Sequence, residues 1–273
     1  MNPFSLRNIL SRFFDVRSGD TRPIVIMASL LFFLVAAINV IKVARDSLFL
    51  SRFPITHLAY VYLLAALFAG IIIAVYTRWT AAVSVYRLIL SSTAFIVFNV
   101  IIFWAIIVVF EFLWAIYVFY LWSAIVNLLA VAQFWTFAGT IFNPRQAKRL
   151  FGMIAAGGSV GAATGGLASG WAVSLFTGTG QLFWLIAALF AGAFGVIWLG
   201  GKELSPTRIE ALERIPVSRP NPATPQTGTL ELIRRSRYLQ SIAGVLFISV
   251  IVSTVIDFEF KPPQRSPIRR SKA

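Results

Sequence analysis

A chain of 273 residues with 58% hydrophobic and only 12% charged residues, at a mean hydropathy of +0.81, is too apolar for a water-soluble domain, whose apolar share is about 45–50%. The formal charge of +14 does not point to nucleic acid, because the basic residues flank apolar runs instead of forming one stripe with interleaved aromatics. The absence of cysteine and the single histidine, His57, exclude disulfides, thiolate chemistry and a histidine-based metal centre, and no cofactor is expected.

Residues 1–22 read as an interfacial amphipathic helix. Phe4, Leu6, Ile9, Leu10, Phe13 and Phe14 share a helical face, while Arg7, Arg12 and Arg17 reach for lipid headgroups. A signal peptide is the rival reading, but the apolar run from Ile24 is as long as a full span and the basic region before it is overlong.

A hydrocarbon core of about 30 Å needs about 20 apolar helical residues. Seven such runs follow: Pro23 to Ala44, His57 to Tyr76, Arg87 to Phe110, Leu113 to Phe142, Phe151 to Phe176, Gln181 to Gly200 and Tyr238 to Ile256. The first six, within 23–200, are joined by short connections such as the turn at Glu111 and the Thr177-Gly178-Thr179-Gly180 gap, so they predict an antiparallel bundle. Residues 201–237 form a basic linker in which Pro206, Pro216, Pro220, Pro222 and Pro225 break any long helix. Residues 238–261 then supply a seventh helix that starts a second bundle, and 262–273 a basic tail. The expected fold class is an all-α, polytopic transmembrane helical bundle.

Orientation follows from Lys and Arg in alternate loops. One side collects Arg7, Arg12, Arg17, Arg22, Arg78, Arg87, Arg145, Lys148, Arg149, Lys202, Arg208, Arg214, Arg219, Arg234, Arg235 and Arg237. The other holds Arg52, with Lys42 and Arg45 at the end of the first span. The bias predicts a multi-pass protein of the cell's inner (plasma) membrane, with the N-terminus and the linker in the cytoplasm. The tail breaks the pattern, since Lys261, Arg265, Arg269, Arg270 and Lys272 would fall outside. Either the seventh segment does not fully insert, or the sequence from about Pro262 onward is foreign to the protein. The expectation adopted is a frameshifted or artificially terminated tail.

Candidate chemistry begins at Lys42-Val-Ala-Arg45-Asp46-Ser47. Charges at a helix centre cost about 2.5–3.5 kcal/mol on insertion scales, so charges close to a span end need a reason. Lys42, Arg45 and Asp46 lie near one helical face. Two readings stay open: interfacial snorkelling with a local Lys42–Asp46 pair, or a cationic patch at the mouth of a central cavity that suits an anionic solute.

The run from Asn143 through Arg145, Lys148 and Arg149 to Gly152 reads as a tight, basic cytoplasmic loop. Beyond it, Gly157, Gly161 and Gly165 recur every four residues, with Gly166 and Gly170 repeating the spacing, which clears a helix stripe for another backbone. A phosphate-cradling loop is disfavoured, because no Gly-Lys-Ser/Thr ending and no preceding strand accompany the glycines. Asn39, Asn99, Asn127, Gln133, Trp135 and Thr136 are polar or amphipathic groups in apolar runs. Most such amides serve as hydrogen-bonding glue between helices, and Gln133, nearly two turns from Asn127, is the preferred cavity-lining candidate. Asp257 and Glu259, two apart, lie on different faces and mark either a span terminus or one side of a pathway.

These patches carry a resemblance. Lys42-Val-Ala-Arg-Asp-Ser-Leu-Phe-Leu-Ser-Arg-Phe53, Asn143-Pro-Arg-Gln-Ala-Lys-Arg-Leu-Phe-Gly152 with its glycine-rich helix, and Asp257-Phe-Glu-Phe-Lys261 resemble the N-terminal half of the ATP/ADP translocase-like family of nucleotide transporters, a branch similar to major facilitator transporters. The likeness covers about residues 5–261. It implies a six-helix major facilitator-like half plus one further helix, with nucleotides or a related anionic solute exchanged by alternating access. Membrane-embedded lysines and acidic residues serve such exchange in the family; Lys42 fits that lysine's region and Arg45 shares it. The first bundle departs from the pattern in having no mid-membrane carboxylate. The partners implied are the lipid bilayer, an anionic solute, and a missing second bundle or another copy, without which the chain is expected to be inactive. A non-transporting membrane scaffold is the alternative, whereas an enzyme is disfavoured because no span carries a His, Cys or carboxylate constellation.

Overall fold

The computed structural model describes residues 21–54, 56–80, 84–175 and 179–203, with single positions at 240, 241, 244, 245, 248, 249 and 252. The expected interfacial helix at 1–22 lies outside the described residues save its last two positions, and most of the linker and the whole tail at 262–273 lie outside them.

Six helices follow in order: α1 (Thr21–Arg52), α2 (Thr56–Thr80), α3 (Val85–Trp104), α4 (Trp114–Ile141), α5 (Pro144–Leu175) and α6 (Gly180–Glu203). There is no strand among the described residues. Five are long and apolar enough to cross a membrane: α1, α3 with the π-helical turn Ala105–Val109 that extends it, α4, α5 and α6. α2, 25 residues long, spans the run expected from His57 to Tyr76. This is an all-helical chain built as an integral membrane protein.

The chain divides into two compact units, 1–217 and 218–273, and the division falls within the expected linker. All six helices belong to the first unit. In the second, the seven described positions between Gln240 and Val252 are helical and exposed, within the run assigned to a seventh helix.

Helix ends follow local chemistry. α1 runs past the hydropathy limit at Ala44 because nothing between Arg45 and Arg52 breaks a helix; Pro54 stops it, and Phe53 N–H still bonds the Phe49 carbonyl at 2.9 Å. At 32 residues it is about 48 Å long, well beyond the hydrocarbon thickness. α3 widens at its end, where Phe110 N–H reaches back to the Ala105 carbonyl at 3.0 Å, and the turn after it is closed by Glu111 at φ 52°.

One expectation is corrected at α5. The basic segment is not a loop: Asn143 caps the helix, Pro144 takes its first position, and Arg145, Lys148 and Arg149 lie in its first two turns. The Gln146 side chain accepts the Asn143 backbone N–H at 3.1 Å, the reciprocal half of a capping box, while Ala147 N–H bonds the Asn143 carbonyl at 2.8 Å. The connection from α4 is therefore only Phe142 and Asn143.

α1 is the central element, packing on α5 most extensively and also on α6 and α4. Met27, Leu30, Ala37, Val40 and Phe49 of α1 are buried against Phe119 and Phe134 of α4, Leu150 and Ile154 of α5, and Leu182, Phe183 and Phe190 of α6. Lipid tails are as apolar as these side chains, so close fit rather than escape from water holds the helices together. Gly157, Gly161 and Gly165 supply that fit. A Cβ at Gly157 or Gly165 would stand 2.5 or 2.6 Å from the carbonyl oxygen of Ala28 or Ala36, and one at Gly161 would meet that of Phe32. Gly166 and Gly170 do not extend the stripe, for a Cβ at either would meet nothing within 4 Å. They lie on the outer face with Leu167, Trp171 and Leu175, which are 70, 73 and 72% exposed, an apolar exterior that suits lipid.

Candidate anion site between two helices

Tyr120, Ser123 and Asn127 succeed one another at spacings of three and four, so they share one face of α4. Opposite them α1 presents Ile38, Ile41, Lys42 and Arg45. Between the two faces lies a small half-open cleft lined by Ile38, Ile41, Lys42, Arg45, Ser123 and Asn127. Lys42 and Asn127 are exposed there, whereas Arg45 and Ser123 are buried.

Lys42 is ten residues before the end of α1, about 15 Å along the axis, and Asn127 stands at the midpoint of the 28-residue α4. The cations therefore face the middle of α4. Such a position is expensive for a charge unless partners compensate it.

Arg45 has those partners. Its Nε donates to Asp46 Oδ1 at 2.9 Å, with the two side chains 10% and 22% exposed. Its guanidinium carbon lies 4.2 Å from the centre of the Tyr120 ring, in cation–π contact. The Tyr120 ring is in turn set edge-on against Phe49 at 5.3 Å and Tyr62 at 6.0 Å. Ser123 Oγ donates to the Tyr120 carbonyl at 2.7 Å, which leaves the hydroxyl oxygen as an acceptor.

A second aromatic group lies beside it, where Phe53 packs against Tyr117 at 4.5 Å and the single histidine, His57, shares a 2.7 Å hydrogen bond between Nδ1 and Tyr117 Oη. Together these rings tie the end of α1 and the start of α2 to α4. Neither group was singled out from the sequence, because an aromatic residue in an apolar run has no local signature. The one available signal was the helical spacing of Tyr120 and Ser123 with Asn127.

The structure brings Lys42, Arg45 and Asn127 together at the cleft, with Asp46 joined to it through Arg45. It does not bring Gln133 there. The Gln133 amide oxygen accepts Ser92 Oγ at 2.7 Å, joining α4 to α3. Asn39, Asn99 and Thr136 bond carbonyls of their own helices, at Val35, Phe95 and Ala132, whereas Gln133 makes the bond between helices expected of most amides in apolar runs. Asn143, Arg145, Lys148 and Arg149 gather at the start of α5, with Arg145 and Lys148 exposed and Arg149 partly buried. Asp257, Glu259 and Lys261 lie outside the described residues.

Chemically, the cleft offers donors from an ammonium, a guanidinium and an amide, with one carboxylate offsetting part of the positive charge, while the Ser123 hydroxyl proton is already given to the Tyr120 carbonyl. It suits an anion with several acceptor oxygens. Among the described residues no three of His, Asp and Glu gather closely enough to hold a metal ion. No family model matches the chain, and neither the curated proteins nor the solved structures include a match to it.

Proposed function

We propose that this protein is a membrane transporter of the ATP/ADP translocase-like type, in which the cleft between α1 and α4 binds the phosphates of a nucleotide or a related anionic solute during alternating access. The observation that carries the reading is the meeting of Lys42 and Arg45 with Asn127 in one cleft, midway along an apolar helix. Charged side chains gathered beside a cleft midway along an apolar helix are typical of substrate and ion pathways. The close α1–α5 packing supports it as well, since backbones in contact let two helices shift as rigid bodies. On this reading α2 completes a six-helix, major facilitator-like half and residues 238–261 start another bundle. The basic loop bias sets the N-terminus and linker in the cytoplasm, under the cell's inner membrane.

Equilibrium binding of labelled ATP to the purified full chain in lipid nanodiscs tests the site without requiring turnover. Lys42→Ala and Arg45→Ala are each expected to weaken binding more than tenfold, in keeping with a lost charge-assisted contact. Equal binding by wild type and the double variant would sink the assignment. Exchange of ATP for ADP across proteoliposomes carries the test from binding to transport, and is expected where a second bundle or another copy completes the pathway.

A further inference from the structure

We propose that Tyr120 is a positioning residue for the anion site: its ring face holds the Arg45 guanidinium in the plane from which Arg45 meets the ligand. The proposal rests on the reading of the α1–α4 cleft as an anion site.

Tyr120 does not line the cleft. Its side chain is 1% exposed, and it lies beneath Arg45, one turn before Ser123 on the face that α4 turns toward α1. A guanidinium has a flat face and a rim of five N–H donors. Asp46 takes the Nε donor, and the ring face stands 4.2 Å from the guanidinium carbon without using any donor. These two contacts fix the plane from different directions and leave the other donors uncommitted by either. Asp46 alone would not do so, because one hydrogen bond to a neighbour on the same helix still lets the guanidinium swing about Nε. The edge-on contacts from Phe49 and Tyr62 hold the ring in turn, so Arg45 inherits the rigidity of an aromatic cluster spanning α1, α2 and α4.

The consequence for binding is preorganisation. An arginine that wanders loses side-chain freedom when a ligand immobilises it, and affinity falls by that amount. The ring face supplies the effect, not the phenol hydroxyl, which is buried outside the lining of the cleft. Phenylalanine should therefore replace Tyr120 and leucine should not.

The experiment is ATP binding to the full chain in nanodiscs, with thermal unfolding measured on the same samples. Tyr120→Phe is expected to bind like wild type, and Tyr120→Leu about tenfold more weakly. Adding Tyr120→Leu to Arg45→Ala should cost no further affinity, since the arginine it orients is gone. Wild-type affinity in Tyr120→Leu, or equal losses in Tyr120→Phe and Tyr120→Leu, would overturn the positioning role while leaving the site intact. If Arg45→Ala binds like wild type, or if wild type binds no ATP, the anion-site reading fails and the proposal fails with it. A Tyr120→Leu variant that unfolds is replaced by Tyr120→Met, which keeps the volume, lacks the ring face and carries the same expectation.

Discussion

Gly161 on α5 and Phe32 on α1 meet backbone to backbone, with the glycine's missing side chain occupied by the Phe32 carbonyl oxygen. The relationship repeats one turn to either side, at Gly157 with Ala28 and Gly165 with Ala36, so the two helices keep one register over three contacts.

That register makes a directional prediction. Gly161→Ala is expected to destabilise the fold by about 1–3 kcal/mol, the usual cost of overpacking, and Gly161→Leu to abolish monodisperse protein in detergent. Gly166→Leu, five residues on but on the open face, should leave the melting temperature within a few degrees of wild type. Fluorescence-detected size exclusion after a temperature ramp reads all three, and an equally damaging Gly166→Leu would remove the stripe from its interface.

The contrast between these glycines also shows how far the sequence could be read. A spacing of four identifies a small-residue stripe but not where it stops, because Gly166 and Gly170 repeat the same spacing on a face that meets nothing. The apolar runs were legible because hydropathy is a property of the chain itself. The length of α1 was not: a hydropathy reading closes the span among its charges, whereas a helix ends only where the backbone is broken, here at Pro54. Asn143-Pro144-Arg145-Gln146 carried a complete helix-start signal that its positive charge disguised as a loop. Within the candidate site, Lys42, Arg45 and Asn127 were visible as polar residues in apolar runs, whereas Tyr120 acquires its role only from standing beneath Arg45.

Asp46 separates stability from binding. Asp46→Asn removes the carboxylate that offsets Arg45, so the fold should lose about 1–3 kcal/mol, less than for a fully buried pair because Asp46 is 22% exposed. The same change removes a negative charge beside the proposed anion, so ATP affinity should rise about tenfold. A melting curve and a binding isotherm on one preparation check the opposite signs. A loss in both would mean that Asp46 orients the cation more than it opposes the ligand.

Gln133 provides the control that lies outside the cleft. Its hydrogen bond to Ser92 joins α3 to α4, and such bonds in membranes average about 0.6 kcal/mol with a maximum near about 1.7. Gln133→Leu and Ser92→Ala should each lower stability within that range and, in combination, lower it by less than the sum. ATP binding should be unchanged in all three. Loss of binding in Gln133→Leu with the fold intact would extend the solute site to α3.

The accessibility of the cleft can be tested without removing anything from the protein, because the chain has no cysteine. Any single introduced thiol is therefore the sole reporter. Asn127→Cys, at the exposed lining of the cleft, should react in membranes with a charged, membrane-impermeant methanethiosulfonate. Leu167→Cys and Trp171→Cys, on the apolar outer face of α5, should stay unlabelled, because a thiolate barely forms in lipid and a charged reagent does not reach it. ATP should protect Asn127→Cys if the anion sits against Lys42 and Arg45, and Lys42→Ala should abolish that protection. An inert Asn127→Cys beside a reactive Leu167→Cys would invert the two faces and with them the assignment of the cleft as a water-accessible route.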